Sequence, residues 1–312
     1  MRIAIIGAGA MGCLFGSKLS ASGNEVFFFD SDKELVDSIN ADGLIIEEKD
    51  SKTGVQIVKE YKGSITASTS YDAMKASKVD LVIIFVKSIN TRSAIMDNVE
   101  IFHPGINVLT LQNGLGNIQA ITDLIEGINI IAGTTAHGAT LLGKGHVLHA
   151  GVGKTIIGEL NEKNSSNIKE IRTIFQNSGI DTEISANIEG AIWDKLLVNV
   201  GINAISGICN VRNGEIGTNE HLRELMVLAV SEAWELALKK GIKLNYTNPV
   251  EHTLEVCKST RDNTSSMLQD ILNSRKTEIE AINGAIVAEG VKYNIDTKVN
   301  EILTKLVQFK ES

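Results

Sequence analysis

The stretch IAIIGAGAMGCLFG, Ile3 to Gly16, decides how this chain is read. A short apolar run of strand length is followed by Gly7, Gly9 and Gly12 at G-x-G-x-x-G spacing, and Met11, Leu14, Phe15 and Leu19 then recur at helical spacing. The order is strand, tight turn, helix. Each glycine has its own reason: the first makes the turn sharp, the second lets the backbone approach a pyrophosphate, and the third lets helix and strand pack closely. The helix that follows offers free N–H groups and a positive dipole end to phosphates. The spacing alone also fits a glycine-rich turn in another α/β protein. Here a second apolar strand, Glu25 to Phe29, follows the helix and ends in Asp30, where an acidic side chain would hold a ribose 2′-OH. Gly7, Ala8, Gly9, Ala10, Met11, Gly12 and Asp30 are therefore expected to bind a dinucleotide.

Working outward, Asp32 to Ala41 is expected to be a helix, Leu44 to Tyr61 a strand pair, and Tyr71 to Ala76 a short helix. Val79 to Lys87 (VDLVIIFVK) is a nearly unbroken β-branched run, the pattern of a strand buried on both faces of a parallel sheet. It closes in Lys87 and Ser88. Asn107 to Leu111 closes in Gln112, Asn113 and Gly114, and Ile128 to Ala132 closes in Gly133, Thr134 and Thr135. Polar residues at the carboxyl ends of such strands lie where open α/β sheets bind ligands. With strand-like pieces at Gly151 to Leu160 and Ile180 to Ile184 around a helix of Asn167 to Gln176, the pattern predicts an α/β, Rossmann-type doubly wound sheet over residues 1–185.

From Ile188 the texture changes to long helical patterns: Glu189 to Ile208, His221 to Lys240, Pro249 to Cys257, Met267 to Lys276, Thr277 to Gly290 and Thr297 to Phe309. An all-α domain over 186–312 is expected. Thr277-Glu278-Ile279-Glu280 fits a capping box, so two helices are expected to meet at Lys276 and Thr277.

Composition bounds the function. The 312 residues, 43% of them hydrophobic, can supply two cores. A net charge of −8 argues against a nucleic-acid surface, which needs clustered Lys and Arg. Cys13, Cys209 and Cys257 are too scattered for a disulfide frame or a zinc site. His137, His146 and His149 lie among glycines and short strands at no metal-binding spacing, and are read as surface or loop histidines, with no metal expected. Glycines break the apolar start too early for a signal sequence, and no run approaches the roughly 18 apolar residues of a membrane helix. A soluble, cytoplasmic protein is expected, with a homodimer compatible with the apolar helical half.

Chemistry concentrates in the first long helix, where Lys195, Asn199 and Asn203 stand four apart. At 100° per residue each step drifts by about 40°, so all three project from one side over about 12 Å. Trp193, Leu196, Leu197, Val198, Ile202 and Ile205 cover the other faces, so the polar stripe is costly unless it lines a polar cavity; the ordinary alternative is a solvated face. A lysine half-buried in a cleft has its pKa lowered by desolvation and can give a proton to a developing alkoxide. Ser265 and Ser266 precede Met267 as helix-cap residues; a helix start carrying hydroxyls is also a carboxylate site, and the two readings stand side by side. Glu278, expected in a first helical turn, equally complements a helix dipole.

These pieces together resemble the ketopantoate reductases (2-dehydropantoate 2-reductases) over essentially the whole chain. The resemblance is carried by GAGAMG after the first strand, VKS at Lys87, LQNG at Asn113, GTTAHGA from Gly133 to Ala139, IWDKLLVNVGINAISGI around Lys195, NGE at Asn213, and SSMLQDI with TEIEAING, ending at Gly284. It implies reduction of 2-dehydropantoate to pantoate, toward pantothenate and coenzyme A, with hydride from NADPH or NADH. It also implies that Lys195 is the general acid, that Glu278 orients the site, and that Asn199, Asn203, Asn213 and Ser266 contact the substrate. Lys87, Asn113 and Ala139 would join the glycine turn in holding the cofactor. One position departs from the pattern: most of the family carries an arginine after the second strand to pair with the 2′-phosphate of NADPH, whereas this chain reads Phe29-Asp30-Ser31-Asp32-Lys33. Two carboxylates there tilt the expectation toward NADH, with Lys33 as the only nearby rescue for NADPH. The rivals are another two-domain 2-keto acid or hydroxy acid dehydrogenase, and a non-catalytic NAD(P)-sensing protein, which would need neither Lys195 nor Glu278.

Overall fold

The computed structural model describes residues 1–49, 55–63, 65–71, 78–160 and 165–312. The short helix expected over Tyr71 to Ala76 lies, past Tyr71, outside the described residues. The chain divides into two compact units, Met1–Gln112 with Asn117–Ile188, and Asn113–Gly116 with Glu189–Ser312.

In chain order the first unit contains β1 (Arg2–Ile6), α1 (Ala10–Ala21), β2 (Glu25–Phe29), α2 (Lys33–Asp42), β3 (Leu44–Lys49), β4 (Gln56–Tyr61), β5 (Ile65–Ser68), β6 (Leu81–Ile84), α3 (Thr91–Met96), β7 (Asn107–Thr110), α4 (Asn117–Thr122), β8 (Asn129–Thr135), β9 (Gly138–Gly143), β10 (His146–Gly151), β11 (Thr155–Glu159), α5 (Ser166–Asn177) and β12 (Thr182–Ile184). Eight of the strands form one sheet in the order β12-β11-β8-β7-β6-β1-β2-β5. All its neighbours pair in parallel except β11, which runs antiparallel to β8. β6 is buried throughout and β1 is buried past Arg2, which is why both read as apolar runs.

The strand pair expected over Leu44 to Tyr61 is an antiparallel β3–β4 ladder, but it belongs to a second sheet of order β4-β3-β10-β9. Helix α1 is packed between the sheets: one apolar cluster joins Ile5 of β1, Phe15 of α1, Ile46 of β3 and Val147 of β10. This corrects the reading of the histidines. His137 and His149 are buried, not on the surface, with His137 Nδ1 3.0 Å from His149 Nε2 and the His137 ring edge-on to Phe15. Period-two burial in two short glycine-rich strands is too faint to predict a sheet whose β10–β3 pairing spans about a hundred residues of chain.

The second unit is helical: α6 (Ile188–Cys209, whose first residue closes the first unit), α7 (Asn213–Thr218), α8 (Glu220–Lys239), α9 (Pro249–Ser259), α10 (Ser266–Leu272), α11 (Asn283–Tyr293) and α12 (Lys298–Lys310). Its core gathers Trp193, Leu196, Leu197, Val200 and Ile205 of α6 with Met226 and Val230 of α8, Ile286 of α11 and Val307 of α12. Each fully buried side chain of this kind contributes about 1.5–3 kcal/mol. A Cβ on Gly201 would lie 2.7 Å from Val230 Cγ2, so α6 and α8 touch backbone to side chain there. The expected junction at Lys276 and Thr277 is corrected. Helix α10 already ends at Leu272, a short 3-10 turn spans Ile279–Ala281, and α11 starts at Asn283. Thr277 Oγ1 accepts from Ile279 N at 3.1 Å, so the local cap exists but starts a single tight turn, and Glu278 is not in the first turn of an α-helix. Among the described residues no helix is long and apolar enough to cross a membrane.

Candidate active site

In the first unit, β1, β2 and β6 end side by side. The chain runs outward from β1 through β2 to β5 and returns to β6 on the other side of β1, so these strand ends form a topological switch point. They open on a cavity of about 330 Å³ lined in part by Gly7, Gly9, Asp30, Ser31, Lys87 and Asn90. The three glycines divide by what surrounds them. Gly7 has φ +102°, and a Cβ there would lie 2.7 Å from Val86 N. A Cβ on Gly12 would lie 2.0 Å from Gly7 O. Gly9 has an ordinary φ of −67°, and a Cβ on it would meet nothing within 4 Å. The fold demands glycine at positions 7 and 12 but not at 9, which caps the twelve-residue helix α1 and faces open space. A phosphate group fits that arrangement, since close approach to the helix N–H groups is what a missing side chain at the cap permits.

Asp30 is fixed at the cavity by two main-chain donors: Ala8 N gives to Oδ2 at 2.8 Å and Asp32 N to Oδ1 at 3.0 Å. An ionised carboxylate has further lone pairs to accept from a sugar hydroxyl. The neighbouring charges are otherwise engaged. Asp32 caps α2 by accepting from Glu34 N and Leu35 N, and Lys33 pairs with Asp37 at 2.7 Å. Ala8 is buried, and Ala10 and Met11 are half-buried at the start of α1. Ala139 stands apart from this group, in β9 opposite His149 and packed on the core between the sheets.

Asn113 belongs to the second unit. Its Nδ2 donates to Glu278 Oε2 at 2.9 Å. The segment 113–116 is docked by Leu115 N, which donates to Ala281 O at 2.8 Å, and by Gly114, whose φ is +79° and whose Cβ would lie 2.3 Å from the same oxygen. Lys195 is half-buried on α6. Burial lowers its pKa from the ordinary lysine value to about 8, and the Glu278 carboxylate opposes that shift. Structure thus brings Lys195, Glu278 and Asn113 together. The buried Asn203 and half-buried Asn199 continue along the Lys195 side of α6.

The serines separate. Ser265, not Ser266, caps α10 through Leu268 N at 3.1 Å, and it also donates to Ser206 Oγ at 3.0 Å. Ser266 is exposed. Ser206, three residues past Asn203, extends the polar stripe and was missed, because a serine between Ile205 and Gly207 carries no pattern of its own. Asn213 is buried at the start of α7, with Nδ2 donating to Thr260 Oγ1 at 3.0 Å and Oδ1 without a hydrogen-bond partner among the described residues. Chemically, the trio offers an ammonium able to change protonation near neutral pH beside an oriented carboxylate.

Comparison with known proteins agrees. Residues 3–162 match the family model described as ketopantoate reductase PanE/ApbA, and residues 187–311 match its C-terminal counterpart. The chain is 36% identical to the 2-dehydropantoate 2-reductase of Pyrococcus horikoshii, over all of this chain and 98% of that one. It is 32% identical to that of Archaeoglobus fulgidus, with the same coverage. Among solved structures, a D-mandelate dehydrogenase with NADH and anilino(oxo)acetate superposes with a TM-score of 0.89 at 32% identity, covering 100% of this chain and 98% of that one. A ketopantoate reductase from Ralstonia eutropha gives 0.88 at 30%, with the same coverage. With both halves matched and a curated relative 36% identical over the whole chain, this chain belongs to the ketopantoate reductase family.

Proposed function

We propose that this protein reduces 2-dehydropantoate to pantoate with hydride from a nicotinamide dinucleotide, using NADH in preference to NADPH. The observation that carries the reading is Lys195 beside a Glu278 held by Asn113, on a helix whose Trp193, Leu196, Leu197 and Val200 pack in the core. Reducing a ketone puts negative charge on its oxygen, so a cationic proton donor stabilises the transition state more than the substrate. Lys195 is the proton donor to the C2 oxygen. Glu278 favours the ammonium form against desolvation, and Asn113 fixes which way that carboxylate faces. Asn199 and Asn203 offer amide donors on the Lys195 side of the helix, and Asn213 and Ser266 are proposed as further substrate contacts. The bound nicotinamide supplies the hydride. Its dinucleotide is held by the turn around Gly9 and by Lys87, with the adenosine ribose at Asp30.

The cofactor preference rests on Asp30, whose fixed carboxylate accepts from a 2′-OH and repels a 2′-phosphate, with Lys33 already paired to Asp37. The likeness to a D-mandelate dehydrogenase with NADH supports a second reading, in which the substrate is an aryl 2-keto acid. A spectrophotometric assay at the nicotinamide absorbance, with 2-dehydropantoate and the keto acid of mandelate against each cofactor, tests both. Highest kcat/KM for 2-dehydropantoate with NADH supports the proposal. Preference for the aryl acid favours the second reading, and no turnover of either acid defeats both.

A further inference from the structure

The TEIEAING motif contains a residue that the site has not used. Asn283 opens α11 with no exposed surface. Its Nδ2 donates to the carbonyl of Val200, in the middle of α6, at 3.2 Å, and to Asn300 Oδ1 at 2.9 Å. Acceptor-only groups force that orientation. Asn300 turns its own amide nitrogen to Ala229 O at 3.0 Å and Glu232 Oε2 at 2.7 Å, so its oxygen must face Asn283 and the Asn283 nitrogen must answer it. Asn283 Oδ1 is left buried without a partner among the described residues. The unsatisfied oxygen costs stability, but an apolar replacement would in turn leave Asn300 Oδ1 unpaired, so packing does not decide between them. Stability does not say what the bond to Val200 is for.

Its place in the chain does. Val200 lies five residues past Lys195 on a rigid helix, and Asn283 lies five residues past Glu278. Between Glu278 and Asn283 the backbone is a tight turn, with Ala281 N and Ile282 N both donating to Glu278 O at 3.0 and 3.1 Å. Two short, stiff segments joined at their far ends set the distance between their near ends. Resting on the reductase reading above, we propose that Asn283 is a positioning residue: by tying the turn after Glu278 to the Val200 carbonyl, it holds Glu278 in register with Lys195. Glu278 is a charge that acts on the Lys195 amine. The adjacent Asp194 is occupied by Asn245, whose amide Nδ2 donates to it at 2.7 Å.

The test replaces Asn283 by Ser and by Leu and reads the Lys195 amine directly, by competitive acetylation across pH followed by mass spectrometry, alongside the pH profile of kcat/KM. If Glu278 drifts, the amine loses its support and titrates at lower pH. The expected shift is roughly half a pH unit or more, with kcat/KM at neutral pH falling on the order of tenfold to a hundredfold. Asn300→Val, which strips the relay but leaves the Val200 bond, lowers Tm without moving the titration. A folded Asn283→Ser or Asn283→Leu chain in which Lys195 titrates as in the parent overturns the proposal. So does an Asn300→Val chain that shifts the amine as far. If both Asn283 chains fail to fold, the residue is structural and the proposal falls. Absence of reductase turnover in the parent defeats the functional reading instead, and leaves the acetylation result to decide this one.

Discussion

In the first unit, the groups facing the cavity at the strand ends include the main chain around Gly9 and the Asp30 carboxylate held by two backbone N–H groups. In the second, they are side chains drawn from three places: Lys195 on α6, Asn113 on a four-residue segment that belongs to this unit, and Glu278 before a 3-10 turn. The first site is made where the chain turns, and its geometry follows from local conformation. The second exists only after distant segments have paired, so its chemistry depends on contacts that no short window of sequence contains. Substitutions in the second should therefore remove chemistry and leave binding, whereas those in the first should act on the fold or on the cofactor.

The sharpest way to break that contrast is Lys195→Ala. Losing the proton donor is expected to lower kcat/KM by roughly 10³-fold or more while cofactor affinity, measured by nicotinamide fluorescence, stays within about twofold. Comparable loss of cofactor binding would mean the two sites are not separable. The parent should show the matching pH dependence. Lys195 must be protonated to act, and its pKa is lowered to about 8, so kcat/KM for reduction is flat below that pH and falls as pH rises through it. In Glu278→Gln the supporting charge is gone, and the alkaline limb moves to lower pH. A limb that stays in place would separate Glu278 from Lys195.

Next in size is the glycine pair. In Gly12→Ala the new Cβ would fall 2.0 Å from Gly7 O, a backbone atom that cannot yield, and the fold should lose about 3 kcal/mol or more, read as a drop in Tm. Gly9→Ala meets nothing in the protein and should keep its Tm, while the Kd for the dinucleotide rises on the order of tenfold. Equal thermal losses in the two variants would show that Gly9 is a packing residue.

How the sequence could be read follows the same divide. Gly7, Gly9 and Gly12 announce strand, turn and helix because three residues at fixed spacing encode one local conformation, and the buried runs at β1 and β6 announce a parallel sheet. The Lys195 stripe was legible because helical periodicity places it on one side of α6. What was not legible required partners far along the chain: the second sheet, in which β10 pairs with β3, the burial of His137 and His149 that follows from it, and the place of Asn113 beside Glu278. The capping signal at Thr277 was real but could not say whether three residues or fourteen would follow, since a 3-10 turn and an α-helix start alike.

A smaller effect is expected at Asp30→Ser. The substitution removes a negative charge from the cavity and the acceptor for Ala8 N, so the NADH:NADPH ratio of kcat/KM should fall roughly tenfold while KM rises for both cofactors. An unchanged ratio would place cofactor choice elsewhere in the first unit.

The least effect on chemistry, and a purely structural one, belongs to the histidine pair between the two sheets. In the His137–His149 hydrogen bond one ring donates and the other accepts, so each can be neutral. A cationic His137 carries a proton on both ring nitrogens, and its Nε2 is buried with no partner among the described residues, whereas Glu48 lies 3.5 Å from His149 Nδ1 and eases a charge there. Burial, then His149 and Lys18, push the His137 pKa from 6.5 down to about 4, and only Asp181 opposes. The unfolded chain takes up this proton as pH falls through its ordinary value and the folded chain does not. Stability from this residue is therefore full above about pH 6.5 and declines toward pH 4 at up to about 1.4 kcal/mol per unit. His137→Gln should flatten that part of the Tm profile and leave kcat at neutral pH unchanged, because His137 packs on Phe15 and not at the cavity. An equal acid slope in the variant would move the effect to other groups, while a fall in kcat would tie the space between the sheets to the glycine turn at the head of α1.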